Sequence, residues 1–428
     1  MSTENIVIIG ASFAGLGAAH YALKHVVPQL PKKGGKNYTV TLINPSKDFY
    51  WRIAGPRAAV SKTLMPESKY IFPIAPGFKS YPKGSFNFVQ GTATHIDSAA
   101  RTVSVTTAAG EHTQIPYAAL VLATGISTPS PLFTQTTDAA GLSATYDSFQ
   151  KVLPTAKTII IGGAGPVGVE VGGEIAEFLN GKPGWFQSKP KNQKAKVIIV
   201  SAEKKMLPIL RESISKKAEK FLKRIGGEVI YNTKVVAATQ EGRDIFGPTK
   251  VVLSNGKTLN ADIYIDATGG RPQTSFIPAA WLDQRNKINC NTKTLRVDVA
   301  GPRVYVVGDA GSYTRGGVID MANAIPVALT NLKIDLTSQI TGRAPTQERH
   351  YTADNSESQI LPIGPSKGVG AFGGWSLPSF MIKMIKGKDY MSKQMALPTV
   401  EGKQWAKEGK WKPQPVAAFT EKVGFSSG

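Results

Sequence analysis

Two stretches of the sequence each run from an apolar, β-rich segment through a cluster of glycines into a helix-like segment. They read IVIIGASFAGLG at residues 6–17 and IIIGGAGPVGVE at residues 159–170. A glycine-rich turn between a strand and a helix binds the pyrophosphate of a dinucleotide, because the free N–H groups at the helix start face the anion. A chain that contains this turn twice is expected to build two dinucleotide-binding units of the doubly wound α/β type.

The first turn matches the GxGxxG pattern only in part. Its candidate cofactor-binding residues are Gly10, Ser12, Phe13, Ala14 and Gly15. Serine stands in the middle position, where glycine usually lets the backbone approach the pyrophosphate, but its hydroxyl could itself bind phosphate. The next strand ends at Asn44 instead of at an acid that would bind ribose hydroxyls, and an amide can also bind a diol.

The second turn matches the full pattern, with Gly163, Gly165 and Gly168 in the three glycine positions. A strand precedes the turn and a helix-like segment follows it, which is the context that the pattern requires. The alternative is a glycine-rich turn without a ligand. We interpret the turn as a binding site for a nicotinamide dinucleotide.

The choice between NADH and NADPH depends on the end of the next strand. Ser201 stands where an acid would select NADH, and Glu203 follows two residues later. Lys204 and Lys205 could bind a ribose 2′-phosphate. The sequence is therefore compatible with both coenzymes.

Further strand candidates follow both turns in a nested order. The segments YTVTLIN (38–44) and ALVLATG (119–125) follow the first turn, and ADIYIDATGGRP (261–272) follows the second. The segment RVYVVGDAG (303–311) then predicts a buried strand that ends in an acid. This order predicts one dinucleotide-binding domain inserted within another.

Composition limits the class of protein. The chain has 428 residues, 41% of them hydrophobic, and no apolar run approaches the length of about 20 residues that spans a bilayer. Because a strand candidate begins near Ile6, we expect no signal peptide. The single cysteine, Cys290, excludes a disulfide within the chain and a CxxC redox pair. We expect a cytoplasmic protein without a metal site.

About half of the net charge of +21 is concentrated in one stretch. Residues 182–224 contain 13 Lys or Arg and 3 Asp or Glu. Such a stretch can be a solvated surface, or it can bind an anionic membrane, a phosphate-bearing ligand or nucleic acid. The sequence contains no recognisable nucleic-acid-binding module.

The motifs of this chain occur in the same order as those of a known family, and the resemblance covers almost the whole chain. The motifs are GASFAG, FYWRIAGPRA, FVQGTATHID, LATG, GGAGPVGVE, DATGGRP and VYVVGDAG. The chain resembles the two-dinucleotide flavoproteins of the pyridine-nucleotide reductase superfamily. Within this superfamily it most resembles the quinone reductases of the apoptosis-inducing-factor-like and ferroptosis-suppressor-protein-like type. These enzymes are relatives of the type II NADH dehydrogenases.

This resemblance implies a glutathione-reductase-like fold that binds FAD at the first turn and NADH or NADPH at the second. The implied units are an FAD-binding domain formed by residues 1–125 and 296–350, an NAD(P)H-binding domain at 126–295 and a C-terminal α+β segment at 351–428.

The resemblance also implies roles for single residues. Arg57 would contact FAD, Ala93 would meet the adenine, and Asp309 would bind the ribityl chain. The other cofactor-binding candidates lie in the LATG, DATGGRP and VYVVGDAG motifs and are Thr124, Gly125, Gly269 and Gly308.

Two residues are candidates for catalysis. Glu170 would face the nicotinamide, although an acid near a helix start is also favoured by the helix dipole alone. Asn323, on a helix expected at 319–329, would lie near a quinone.

The expected activity is hydride transfer from NAD(P)H to the flavin, followed by electron transfer to a second substrate. Because a cysteine pair is missing, the acceptor must meet the flavin directly, and a flat quinone fits best. The alternatives are a reductase or oxidase that acts on another small molecule, such as a secondary metabolite, and a signalling or nucleic-acid-binding protein.

A segment near the C terminus mixes apolar and basic residues. Residues 375–388 place Trp375, Phe380, Met381, Met384 and Ile385 among Lys383, Lys386 and Lys388. A helix of this composition can lie on an anionic membrane surface. It can also cover the flavin or form a contact in a homodimer.

Overall fold

The computed structural model describes residues 3–32, 37–134, 138–184, 186–242 and 244–416. The chain begins with the strands β1 (Thr3–Ile9), β2 (Asn37–Asn44), β3 (Asp48–Tyr50), β4 (Ile71–Pro73), β5 (Phe86–Asp97), β6 (Thr102–Thr107), β7 (His112–Pro116), β8 (Ala119–Leu122) and β9 (Ile126–Ser127). Two α-helices lie among them, α1 (Phe13–Tyr21) and α2 (Gly55–Val60). Helix α1 continues into a π-helical turn at Ala22–Val26, so the helix expected after the first glycine turn is confirmed.

The second part of the chain holds the strands β10 (Thr158–Gly162), β11 (Lys196–Val200), β12 (Gly227–Ile230), β13 (Val235–Gln240), β14 (Thr249–Leu253), β15 (Thr258–Ala261), β16 (Ile263–Asp266) and β17 (Arg271–Pro272). Its helices are α3 (Ala139–Val152), α4 (Pro166–Asn180) and α5 (Glu212–Arg224). A parallel sheet has the order β12-β11-β10-β16, and β13–β15 form a separate antiparallel sheet.

The remainder holds the strands β18 (Val304–Val306), β19 (Gln347–Glu348), β20 (Gln359–Ile363), β21 (Lys367–Phe372), β22 (Trp375–Ser376) and β23 (Gln414–Pro415). Its helices are α6 (Val318–Thr341), α7 (Ser379–Ile382) and α8 (Leu397–Val400). Strand β18 returns to the first part of the chain, while β20, β21 and β22 form a small antiparallel sheet. The nested mixed α/β fold that we predicted is therefore confirmed.

The first sheet has seven strands in the order β18-β8-β1-β2-β5-β6-β7. The first five run parallel, and the last two join them by antiparallel pairing. The carboxyl ends of parallel strands meet at one edge, which is where open α/β sheets bind their ligands. This edge brings together the first glycine turn after β1, Asn44 after β2, Thr124 after β8 and Asp309 after β18.

The chain crosses between the two large units through a two-stranded ribbon of β9 and β17. Beside the ribbon, the backbone N–H of Gln273 donates to the carbonyl of Gly125 (3.0 Å). Ile277, Trp281 and Ile288 then pack against the core of the seven-stranded sheet. The boundary predicted at residue 295, between the second unit and the return to the first, stays a prediction.

The segment 375–388 is not one continuous amphipathic helix. It consists of strand β22, the short helix α7 and a π-helical turn at Lys383–Gly387. Ile382 is fully buried, whereas Trp375, Phe380 and Met384 are mostly exposed. Within the described residues, no helix is both long and apolar enough to cross a membrane.

Candidate active site

The first glycine turn is tightly closed between β1 and α1. Gly10 has φ +100°, and a methyl group placed on Gly15 would lie 1.6 Å from the Gly10 carbonyl oxygen. A side chain at either position would therefore force the helix away from the strand. Ser12 is the N-cap of α1, but its exposed hydroxyl makes no capping hydrogen bond. That hydroxyl and the first N–H groups of α1 face outward, as an anion-binding turn requires.

The neighbouring strand ends divide into groups that support the turn and groups available to a ligand. The Asn44 side chain supports the turn, because it accepts from Ala11 N (2.9 Å) and donates to the Ser46 carbonyl (2.7 Å). The hydroxyl of Thr124, in contrast, is buried and has no hydrogen-bond partner within the described part of the chain. A buried hydroxyl without a partner is costly, so this group indicates a missing ligand.

The remaining residues predicted for the first cofactor lie around the same edge. Phe13 packs with its ring 5.1 Å from the rings of both Phe49 and Trp51. Ala93 is buried on the part of β5 that extends beyond the pairing with β2. Asp309 is half-buried and accepts from Gly317 N (3.2 Å) at the start of α6. Together with the Thr124 hydroxyl, these positions fit the phosphates, adenine and ribityl chain of FAD.

Two glycines in this region hold the elements close together. Gly308, which precedes Asp309, has φ +82°, and a methyl group on it would lie 2.8 Å from the Ala14 side chain. Its N–H donates to the Tyr313 hydroxyl (2.8 Å). Gly125 has φ +65° at the crossing to the second unit.

The second glycine turn leaves room for a ligand at its middle position. A methyl group on Gly165 would meet no atom within 4 Å, whereas one on Gly168 would lie 2.0 Å from the Gly163 carbonyl oxygen. The outer glycines therefore close the turn, and the middle one opens it toward space that a pyrophosphate can occupy. Gly269, in the loop after β16, likewise has open space beside its Cα.

The residues predicted to select the coenzyme do not all face a ligand. Ser201 is 2% exposed, and its hydroxyl donates to the Glu203 carbonyl and accepts from the Glu203 N–H (3.2 Å each). The ammonium group of Lys205 donates to the Leu210 carbonyl. Lys204 is exposed, so of these three residues it is the one free to reach a ribose 2′-phosphate.

An acidic row that the sequence reading did not anticipate lies along the buried face of α4. Glu170, Glu174 and Glu177 follow each other at helical spacing and are 3%, 2% and 7% exposed. Buried carboxylates require partners. Lys386 Nζ lies 2.6 Å from Glu170 Oε1, with both side chains largely buried. Lys386 therefore belongs to the interior, which corrects the expectation that it meets lipid.

Arg57 and Tyr390 bind Glu174, the middle acid of this row. The Arg57 guanidinium donates to both oxygens of Glu174, through Nε (3.0 Å) and Nη2 (2.8 Å). Its Nη1 donates to the carbonyls of Gly387 (2.6 Å) and Lys388 (3.1 Å). The Tyr390 hydroxyl donates to Glu174 Oε1 (3.0 Å). This geometry uses Arg57 within the protein, so its expected contact with FAD stays a prediction that the observed bonds do not favour.

Burial controls the ionisation of the acidic row. Burial raises the pKa of the Glu170 carboxyl, and the nearby Lys386 ammonium counteracts part of the rise. Burial likewise raises the pKa of Glu174, against the hydrogen bonds from Arg57. A sequence signal could have revealed this row. The glutamates in VGVEVGGEIAEFL are spaced so that all three lie on one face of an otherwise apolar helix.

The other catalytic candidate, Asn323, is exposed on α6, away from the acidic row. It lines a cavity of about 340 Å³ together with Arg349, Tyr351 and Trp411. Cys290, the single cysteine, is buried, and its thiol is hydrogen-bonded to the Ser312 hydroxyl (3.7 Å). Among the residues that the structure describes, no group of His, Cys, Asp and Glu could hold a metal ion.

Comparison with known proteins identifies relatives of this arrangement. Residues 4–327 match the family model described as pyridine nucleotide-disulphide oxidoreductase. The chain is 41% identical over 415 residues to oxidoreductase phnG of Penicillium herquei, covering 95% of this chain and 98% of the relative. It is 33% identical over 390 residues to oxidoreductase ptaL of Pestalotiopsis fici, covering 90% and 95%. Apoptosis-inducing factor 1 of Saccharomyces cerevisiae is 23% identical over 411 residues, covering 92% and 98%.

Solved structures share the fold at lower identity. The sulfide:quinone oxidoreductase of Aquifex aeolicus superposes with a TM-score of 0.69 at 15% identity, covering 93% of this chain and 92% of that one. NDH2 of Plasmodium falciparum in complex with NADH superposes with a TM-score of 0.64 at 13% identity, covering 95% and 99%. At these identities the likeness shows the shared fold.

Proposed function

The chain belongs to the pyridine nucleotide-disulphide oxidoreductase family, and we propose that it transfers two electrons from NADH or NADPH, through FAD, to a quinone-like acceptor. As a member of this family it is an oxidoreductase that uses FAD and NAD(P)H. The observation that carries the proposed acceptor is the single cysteine of the chain. Without a second thiol no internal disulfide can receive the electrons, so the acceptor must be an external molecule that meets the flavin directly.

The residues of the two turns would position the reacting groups. The open Gly165 position and the N-terminus of α4 bind the coenzyme pyrophosphate, while the Thr124 hydroxyl, Asp309 and the α1 turn bind FAD. When bound, FAD accepts a hydride from the nicotinamide and returns two electrons to a second substrate. The buried walls around these positions exclude water, which prevents side reactions.

The buried Lys386–Glu170 pair supplies a proton to the proposed reaction. Reduction of a quinone to a hydroquinone consumes two electrons and two protons. The hydride carries both electrons and one proton, so the second proton must come from solvent through the protein. Lys386 Nζ, held 2.6 Å from Glu170 Oε1, can donate a proton and be reprotonated from Glu170, which burial makes easier to protonate.

A second candidate is the reduction of a small molecule that is not a quinone. The relative that is 41% identical carries the name oxidoreductase without a stated acceptor, whereas a protein whose name states a quinone is only 15% identical. Both candidates use the same cofactors and differ in the acceptor alone.

A peripheral membrane contact fits a lipophilic acceptor. Trp375, Phe380 and Met384 are 80%, 65% and 68% exposed, and Lys383 and Lys388 beside them are also exposed. We propose that this surface, without Lys386, touches an anionic membrane. The homodimer contact and the cytoplasmic location stay predictions.

One experiment distinguishes a quinone acceptor from another small-molecule acceptor. The purified protein should show the visible spectrum of bound FAD, and NADH or NADPH should bleach it without air. Turnover should then require an added acceptor from a panel of short-chain quinones, long-chain quinones and other small oxidants. Protein that binds no FAD would refute the proposed function, and turnover with non-quinone acceptors alone would select the second candidate.

A further inference from the structure

A cavity beside α6 lies outside both glycine turns. We call it the α6 cavity; it has a volume of about 340 Å³, and Asn323 and Val327 of the helix form one wall. Residues 349–352 form a second wall and residues 411–414 a third. The two non-helical walls are joined, because β19 pairs with β23 next to the cavity. The volume lies in the range of small-molecule sites.

The cavity is cationic and aromatic. Arg349 and Lys412 line it, and no carboxylate does. The Arg349 guanidinium lies 5.7 Å from the ring centre of Trp411, and one of its nitrogens donates to Thr330 Oγ1 (3.3 Å). The charge of Arg349 is not neutralised by an ion pair within 4.0 Å in the described structure. A guanidinium that is free of a carboxylate and fixed beside an indole suits a ligand that is both anionic and flat.

Acids on the elements around the cavity accept hydrogen bonds from other protein groups. Glu348 Oε1 accepts from His350 Nε2 (2.8 Å). The two oxygens of Asp320 accept from the hydroxyls of Thr314 and Tyr351. Glu408 Oε1 accepts from the Tyr21 hydroxyl (2.9 Å), which also contacts Thr330, the partner of Arg349. Because none of these described carboxylates pairs directly with Arg349, its guanidinium can still pair with an external anion.

The cavity wall is continuous with the proposed flavin site. The ring of Tyr351 lies 5.1 Å from that of Tyr313 in an edge-on arrangement. The Tyr313 hydroxyl accepts from the backbone N–H of Gly308 (2.8 Å), immediately before Asp309. A ligand in the cavity therefore rests against the same packed side chains that support the strand end carrying Asp309.

We infer that the α6 cavity binds the electron acceptor as a planar aromatic anion, namely a quinone whose ring system also carries an ionised hydroxyl or carboxylate group. Arg349 pairs with the anionic oxygen, Trp411 stacks on the ring system, and Asn323 donates to a carbonyl of the ligand. This inference rests on the proposed function for its acceptor role, and it narrows the substrate class of that reaction.

A redox-inert probe tests the binding site apart from turnover. Calorimetry with the FAD-loaded protein should show that 1-hydroxy-2-naphthoate binds at least about tenfold more tightly than its neutral methyl ester, because the ester cannot form a charge-assisted pair with arginine. Arg349→Gln should lower this preference at least several-fold, although Lys412 still lines the cavity. Arg343→Gln is the matched control, because Arg343 is exposed and lies outside the cavity. Trp411→Leu should weaken both ligands and retain the preference for the anion.

Steady-state kinetics tests the acceptor role. 1-Hydroxy-2-naphthoate should inhibit NADH oxidation competitively against 2-methyl-1,4-naphthoquinone and not against NADH. Equal binding of anion and ester, or an unchanged preference in Arg349→Gln, would overturn the anion site. Tight binding without competition would overturn the acceptor role. If no acceptor supports turnover, the proposed function fails, while calorimetry still decides whether the cavity binds the anion.

Discussion

The buried pair of Arg57 and Glu174 permits a sharp test of how the two large units are held together. Arg57 lies on α2 of the first unit and Glu174 on α4 of the second, and their side chains are 2% and 1% exposed. Two charges about 4 Å apart attract each other by about 4 kcal/mol at an effective dielectric constant of about 20. Removal of one partner leaves the other buried and unpaired, which costs about 3–5 kcal/mol.

We therefore expect Arg57→Met and Glu174→Gln each to lower the free energy of unfolding by about 3 kcal/mol or more. The double variant should lose much less than the sum of both changes, because it leaves no unpaired charge. Denaturant unfolding of the FAD-loaded proteins measures these differences. Arg52→Met is the matched control, because Arg52 donates to the carbonyls of Ile126 and Phe133 and forms no ion pair with the residues that the structure describes.

The same variants distinguish this role from a flavin contact. If Arg57 is structural, Arg57→Met and Glu174→Gln should retain similar amounts of FAD after desalting, as measured by the flavin absorbance. The reasoning is refuted if Arg57→Met loses FAD while Glu174→Gln retains it, or if the double variant is as unstable as the sum of the single variants.

Three further predictions concern a buried histidine of α1, His20, and two lysines of the site. Burial lowers the pKa of His20 to about 4, so the unfolded chain binds a proton at this histidine before the folded chain does as the pH falls. The free energy of unfolding of the wild type should therefore fall by about 3 kcal/mol between pH 7 and pH 4 relative to that of His20→Asn. Urea unfolding at several pH values measures this difference. Lys386→Met should lower kcat for quinone reduction at least about tenfold, with Lys383→Met as the exposed control; equal kcat values would exclude proton donation. Lys204→Ala should raise the KM for NADPH at least several-fold and leave that for NADH unchanged, and parallel changes in both would remove Lys204 from the ribose site.

The two glycine turns could be predicted from the sequence because their requirements are local. Gly15 must lack a side chain because its Cα lies against the Gly10 carbonyl, and the six residues 10–15 are enough to display that requirement. The strand ends that carry Thr124 and Asp309 were also predictable, because buried parallel strands have a recognisable composition. Their meeting at one edge follows from the sheet order.

The ionic partners could not be predicted, because they depend on which side of a segment faces the core. In residues 375–388 the mixture of lysines and apolar residues indicated a surface helix. In the structure Lys386 lies one helical turn after Ile382, which is fully buried, so both side chains face inward. Only the packing of this segment against α4 shows that the lysine has a buried carboxylate as its partner. For the same reason Ser201 appeared available to a ribose, although its hydroxyl is bonded within its own loop.

The acidic row on α4 connects the coenzyme turn to the other two parts of the molecule. Helix α4 begins at the turn that would bind NAD(P)H, and its first buried acid, Glu170, pairs with Lys386 of the C-terminal segment. One turn further, Glu174 binds Arg57 of the first unit and Tyr390 of the C-terminal segment. Because a change of charge at one acid alters the solvation and partners of the next, we expect protonation of Glu170 to be coupled to the packing of all three units. Such a row allows a shared interface both to move protons and to exclude water. An apolar interface of equal stability could only exclude water.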